Sequence, residues 1–325
     1  MALIPNDSRH ALQIQAGIIG RLAGHKFESN LAQTINNLPC PILQNPLPKH
    51  LVVGNPEIQI VKKALQVLDW DNCHIVEAIA LGSLATAEEG KRWLEVHGMR
   101  VKACKSDILL TLYNNDLKLI ETVGVSVKQC SKISPTNAQL YFTTAKAFCE
   151  LLRNNGIPVS DDAVNALRQF CGEKGFAPRD NPADLVGRLT DPRRYFWEEI
   201  NENGRIELEN IFVEKQAEIT RLLLQKAYIN DPFAPDLILH LTRKMPLGHP
   251  QEFALYSIDE LIQLSCKYAG FEKRKYSVRK GSHKDPIGVQ HDAPRFGIVQ
   301  MQRGGQAQHP EQLQFNLQAG YFYNI

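Results

Sequence analysis

Asp107, Ser126 and Lys128 form the pattern D-x18-S-x-K, with eighteen residues between the acid and the serine. Side chains alternate along a strand, so Ser126 and Lys128 project from one face while Val123, Val125 and Val127 project from the other. The valines suit a core, which leaves the lysine on a face whose reverse is buried. Asp107 opens the preceding apolar run, and folding the two runs into a hairpin brings its carboxylate to the same end of the sheet as the Lys128 ammonium. An acid and an amine so placed can hold a divalent cation and a phosphate together, as the hydrolysis of a phosphodiester requires. Mg²⁺ takes oxygen ligands, neutralises charge developing on the phosphate and lowers the pKa of a bound water. Lys128 would orient or activate that water and stabilise the pentavalent transition state. The backbone carbonyl of Val127 can add an oxygen to the Asp107 carboxylate, and a second acid should converge on them.

The elements around these residues can be read from local pattern. The stretch from Lys105 to Ser131 has strand character on both sides of the turn signal Asn114, Asn115, Asp116, which predicts a β-hairpin. Upstream, apolar residues at Ile18, Leu22, Phe27, Leu31, Ile35 and Leu38 predict one or two amphipathic helices, capped at Asp7 or Ser8 and ended by Pro39. A connector rich in proline follows (Pro39, Pro41, Pro46, Pro48), then a strand at Leu51 to Val53. Thr86 with Glu89 reads as a capping box for a short helix ending near Gly98.

Ser134 and Pro135 predict the start of a helix that closes at Gly156. Residues 160 to 270 read as mainly helical, with a cap at Ser160, a helix over Arg205 to Ala227, and a capping box at Ser257 and Glu260. In the tail, Leu313, Phe315 and Leu317 alternate with Gln312, Gln314, Asn316 and Gln318, so strands return. The expected fold is α/β: a core over 1–158 with a mixed central sheet flanked by helices, then a helical region and C-terminal strands over 159–325.

With 325 residues, 43% of them hydrophobic and 22% charged, the chain is long enough to bury a core without disulfides or a structural metal. Seven scattered cysteines, never spaced C-x-x-C, argue against a zinc ribbon and for a reducing cytoplasm. No apolar run approaches the ~20 residues that span a bilayer, and no signal-peptide pattern opens the chain. The chain carries a formal +2, yet Lys273, Arg274, Lys275, Arg279, Lys280 and Lys284 place six cations, with His283 and no acid, in one short segment. That segment suits contact with a phosphate backbone. In the tail, Gln300 and Gln302 can pair with adenine and Arg303 with guanine in a major groove. The ten histidines form no H-x-x-x-H or H-E-x-x-H pair, and His291–Asp292 reads as a loop dipeptide. Trp70, Trp93 and Trp197 read as buried anchors. There is no P-loop, no G-x-G-x-x-G and no G-x-S-x-G, so ATP-driven motors, Rossmann enzymes and α/β-hydrolases are unsupported.

The block K-S-D-I followed by G-V-S-V-K-Q resembles the active-site hairpin of the PD-(D/E)XK nucleases, in particular type II restriction endonucleases with Ser at the middle acid. The resemblance implies Asp107 as the first metal-binding acid, Ser126 at the (D/E) position and Lys128 as the catalytic lysine. G-H-K-F-E-S-N-L (Gly24 to Leu31) is similar to the N-terminal helix of such enzymes, and makes Glu28 the second acid, with Glu77 or Glu121 to compensate otherwise. Ser106 stands where the family usually has Pro. The resemblance covers the hairpin and eight residues of helix. It implies a Mg²⁺-dependent enzyme of a bacterial restriction-modification system that cuts double-stranded DNA to 5′-phosphate and 3′-hydroxyl ends. It also implies a homodimer on a palindromic site, and a cognate methyltransferase acting on that site without needing to bind the nuclease. Two other readings stay open: a structure-specific repair or junction nuclease, and a non-catalytic DNA-binding protein with a degenerate nuclease core.

Overall fold

In the computed structural model Asp7 caps a 29-residue helix, α1 (Ser8–Asn36), by accepting from the backbone N–H of His10. The residues described are 4–45, 50–81, 94–96, 98–101, 104–130, 137–186, 192–226, 231–242, 252–268, 274–277, 290–303, 309 and 311–323. Among them no helix is long and apolar enough to cross a membrane. The chain folds into two compact units that its sequence enters more than once: Met1–Thr136, Gln225–Leu261 and Phe322–Ile325 form the first, Asn137–Leu224 and Ile262–Tyr321 the second. The division thus differs from a single cut at residue 158.

The first unit is built on a mixed sheet of seven described strands. They run in the order β1 (Ile42–Leu43), β3 (Asn72–Ala80), β6 (Ile108–Asn114), β7 (Leu119–Cys130), β9 (Leu237–Thr242), β10 (Glu252–Ser257) and β2 (Leu51–Val53). A small hairpin pairs β4 (Leu94–Val96) with β5 (Met99–Val101). In the large sheet only the β7–β9 contact is parallel, from Val125–Leu237 to Cys130–Thr242. Pro56 opens α2 (Pro56–Leu68), consistent with its fixed φ at a first helical turn.

One face of the sheet carries the core. Leu31, Ala32 and Ile35 of α1 and Ile60, Val61 and Leu65 of α2 pack with Val123, Val125, Val127, Leu237, Leu239, Phe253 and Leu255. The alternation expected for β7 is therefore present: its valines face the helices. The first half of α1 is different, because Leu12, Ile18, Ile19 and Leu22 are exposed.

The second unit has a four-stranded antiparallel sheet in the order β13 (Arg295–Phe296), β14 (Val299–Arg303), β15 (Gln312–Leu317) and β8 (Ala138–Thr144). A separate antiparallel pair joins β11 (Arg274–Ser277) and β12 (Gln290–Ala293). Leu313, Phe315 and Leu317 are fully buried, as their alternation requires. Its longer helices are α3 (Ala145–Asn154), α4 (Asp161–Cys171), α5 (Glu202–Glu214) and α6 (Gln216–Gln225), the last running into the first unit by one residue. Phe148, Phe170, Trp197, Phe212, Phe296 and Phe315 are buried and form successive ring contacts.

Several expectations are corrected. Residues 138–144 are a strand rather than the start of a helix, because AQLYFTT finds a partner in β15, and the helix begins only at the Thr144 cap. The stretch 160–270 is interrupted by β9 and β10, whose short apolar runs pair with β7 and each other instead of coiling. The helix expected over 205–227 is two helices that break at Lys215. His291 and Asp292 lie in β12 and not in a loop: His291 stacks on Phe196 and its Nδ1 meets Glu198 Oε1 at 2.6 Å. The cap at Ser160 and the capping box of Ser257 with Glu260 are formed as expected for their first turns. Thr86, Glu89, Trp93, Ser134 and Pro135 lie outside the described residues.

Candidate active site

β6 begins at Ile108, paired with Val125, so β7 continues past its antiparallel neighbour. On that side the backbone of β7 needs another partner. Asp107 provides it. Its main chain bridges both neighbours, N–H to Val125 O at 2.9 Å and C=O from Leu81 N–H at 2.8 Å. Its carboxylate then takes over the ladder: Oδ2 accepts from the Val127 N–H at 2.6 Å and from Ser126 Oγ at 3.2 Å. Lys128 Nζ donates to the same Oδ2 at 3.4 Å, to Ser126 Oγ at 2.7 Å and to the Val127 carbonyl at 3.3 Å. Ser126 is fully buried, and the Lys128 side chain is only 16% exposed. The acid, hydroxyl and ammonium expected to meet at one sheet end do so within hydrogen-bonding distance.

Glu28 reaches the same place from α1. The Gly24 carbonyl accepts from Gln129 Nε2 at 3.5 Å, and a Cβ at Gly24 would lie 3.8 Å from Glu28 Oε1, so the helix runs past the end of β7 with no side chain between. Glu28 is 6% exposed, and its Oε2 is buried with no hydrogen-bond partner among the described residues. Burial pushes its carboxyl up to about 7, the Asp107 carboxylate adds to the rise, and Lys128 works against it. The two other acids lie away. Glu77 is exposed opposite Thr111, four rungs from Asp107 or about 13 Å along the strand. Glu121 is exposed seven residues before Lys128, roughly 23 Å away.

The floor under these groups is held by the segment before β9. Ser106 Oγ donates to Phe233 O at 2.7 Å, the Lys105 N–H to Asp231 Oδ2 at 2.7 Å, and the Gly124 N–H to Asp236 Oδ2 at 2.9 Å. Gly124 allows this approach, since a Cβ there would stand 2.4 Å from Ser106 Oγ and 2.6 Å from Ala234 O. His240 shares a rung with Lys128, its Nδ1 meets Tyr323 Oη at 2.9 Å, and burial followed by the Lys128 charge lowers its pKa to about 4. Burial and the same ammonium lower Lys105 to about 7.

Sequence reasoning missed Lys105, His240, Arg21 and His25. The last two had a signal, because Arg21, His25 and Glu28 are spaced i, i+4, i+7 on a helix. His240 had none, since its strand lies in a region read as helical.

The candidate DNA-contact residues fare differently. Lys273, Arg279, Lys280 and Lys284 lie outside the described residues, and Arg274 and Lys275 are described only as backbone of β11. Arg303 turns into its own unit: Nη1 donates to Tyr195 O at 2.9 Å, and the guanidinium lies over the Phe170 and Phe196 rings. Buried aromatic neighbours and carbonyls hold it there. Gln302 Oε1 accepts from Asn316 at 3.2 Å and Gln300 Oε1 from Asn137 at 3.3 Å, both half-buried.

No protein-family model matches the chain, and a search of curated proteins finds no match. What the site can do chemically follows from its atoms. Asp107, Glu28 and the Val127 carbonyl supply oxygen donors of the kind a hard divalent cation takes. The half-neutralised Glu28 carboxyl fits that role, because a cation beside it would meet the Oε2 that has no partner among the described residues.

Proposed function

We propose that this protein is a Mg²⁺-dependent endonuclease of the type II restriction kind, hydrolysing phosphodiesters of double-stranded DNA. The carrying observation is the convergence of the Asp107 carboxylate and the Lys128 ammonium at 3.4 Å where β7 outruns β6, with the Glu28 carboxyl, whose Oε2 has no partner among the described residues, beside them. Asp107, Glu28 and the Val127 carbonyl would hold the metal, which supplies charge neutralisation at the phosphate when bound. The Lys128 ammonium, held by Ser126 Oγ, sets its positive charge beside the attacking water and the phosphate oxygens as negative charge grows on them. Water oxygen bonds to phosphorus, the bond to the 3′-oxygen breaks, and that oxygen takes a proton, leaving 5′-phosphate and 3′-hydroxyl ends. Ser126 serves as a neutral post for the lysine in place of an acid. A palindromic target would be cut by a homodimer with one site per strand, in a bacterial cytoplasm where a cognate methyltransferase acts on the same site.

A second reading has an observation of its own. The Lys128 ammonium already lies among the oxygens of Asp107, Ser126 and Val127, the company a metal would keep. That favours a non-catalytic DNA-binding protein with a degenerate core. Incubating the purified chain with a sequenced plasmid and Mg²⁺, then mapping the ends, separates the readings. Discrete fragments, with Lys128→Ala binding DNA but cutting nothing, are expected. A wild type inert in both Mg²⁺ and Mn²⁺ would favour the degenerate core, and nicking confined to branched or mismatched DNA a repair nuclease.

A further inference from the structure

Glu28 and Asp107 bring two carboxyl groups to a site meant for a phosphodiester of the same charge sign. Lys128 is engaged with Asp107, Ser126 and Val127. Holding the DNA backbone beside these acids therefore calls for a cation with free donors.

α1 supplies one. Positions 21, 25 and 28 lie in a row on one helix face, and the row is anchored where the Gly24 carbonyl accepts from Gln129, the residue after Lys128. Arg21 stands four residues outward from His25, about 6 Å along the axis. It is exposed, and no carboxylate pairs with it among the described residues. His25 is half-buried between the two: burial and the Arg21 charge lower its pKa while Asp107 opposes them, so its ring senses both the arginine and the site. A guanidinium presents a rigid fork of donors that matches phosphate oxygens.

We infer that Arg21 is a phosphate-binding residue of this site, gripping the backbone phosphate next to the one that is cut. The inference rests on the nuclease reading and adds to it the path of the strand, along α1 and over the end of β7.

The test compares wild type, Arg21→Ala and Arg21→Lys for binding to a short labelled duplex across a salt series without divalent cation, and for steady-state plasmid cleavage in Mg²⁺. Arg21→Ala is expected to lower the slope of log Kobs against log salt by about one, and to raise KM several-fold with kcat unchanged. Arg21→Lys keeps the slope and raises KM by less, because the charge remains without the fork. A thermal melt checks folding, which an exposed position should leave intact. An Arg21→Ala protein with wild-type slope and KM, in a preparation that cuts, overturns the inference alone. A wild type that binds duplex and cuts nothing overturns the nuclease reading and the placement beside a cut phosphate with it.

Discussion

At its turn end, β7 pairs rung by rung with β6 from Leu119–Asn114 to Val125–Ile108, and Leu119, Ile120 and Glu121 are exposed. At its other end β6 has stopped, and the Val127 N–H is met by a side chain, the Asp107 carboxylate, at 2.6 Å. A complete ladder satisfies the backbone and leaves side chains to water. An incomplete one recruits them. The acid that repairs the missing rung is fixed in place by that duty, and the hydroxyl and ammonium it gathers inherit its rigidity, as a site held to sub-ångström geometry requires.

Asp107→Ala should break the comparison most severely. It strands a buried N–H and a half-buried ammonium, so a loss of about 2–4 kcal/mol in urea unfolding is expected, with no cleavage remaining. A loss below about 0.5 kcal/mol, the range of ordinary surface changes, would mean that the carboxylate is not the backbone's partner.

Glu28→Gln should have a smaller, pH-dependent effect. The folded-state pKa of about 7 lies above the ordinary 4.5, so folding takes up a proton in that window and stability falls as pH rises through it. In metal-free buffer the variant should gain on wild type between pH 5 and pH 8, by on the order of 3 kcal/mol. A difference curve flat with pH would show that the carboxyl is not held in a buried, charge-averse place. Glu121→Gln, at the turn end, sharpens the contrast by doing nothing: stability within about 0.5 kcal/mol of wild type is expected, with kcat/KM unchanged. A marked fall in cleavage there would extend the site along the whole strand.

Much of this site was legible because its determinants are local. Asn114 accepts from the N–H groups of Asp116 and Leu117, the turn chemistry that the residues themselves announce, and the parity of Ser126 and Lys128 against three valines follows from the strand's period. Glu28 came from resemblance, since nothing near residue 28 in sequence says which strand end it will face. β9 and β8 were not legible. LILHLT is a short apolar run that helix and strand read alike, and AQLYFTT follows a Ser-Pro pair that resembles a helix start. Partners about 110 and 170 residues away decided both, and local propensity yields to such pairing. Arg303 illustrates the same limit at the level of one side chain, since its alternating strand position does not reveal the carbonyls of Tyr195 and Phe170 that claim it.

The single parallel seam of the large sheet also bears on how the protein is made. β7 ends at Cys130 and its neighbour starts at Leu237, so a ribosome adding about 5–20 residues per second needs roughly 5–20 s to deliver the second after the first. Throughout that interval the nascent hairpin carries an open edge, a template for wrong pairing, and the rung that sets His240 beside Lys128 can form only once synthesis has passed the later point.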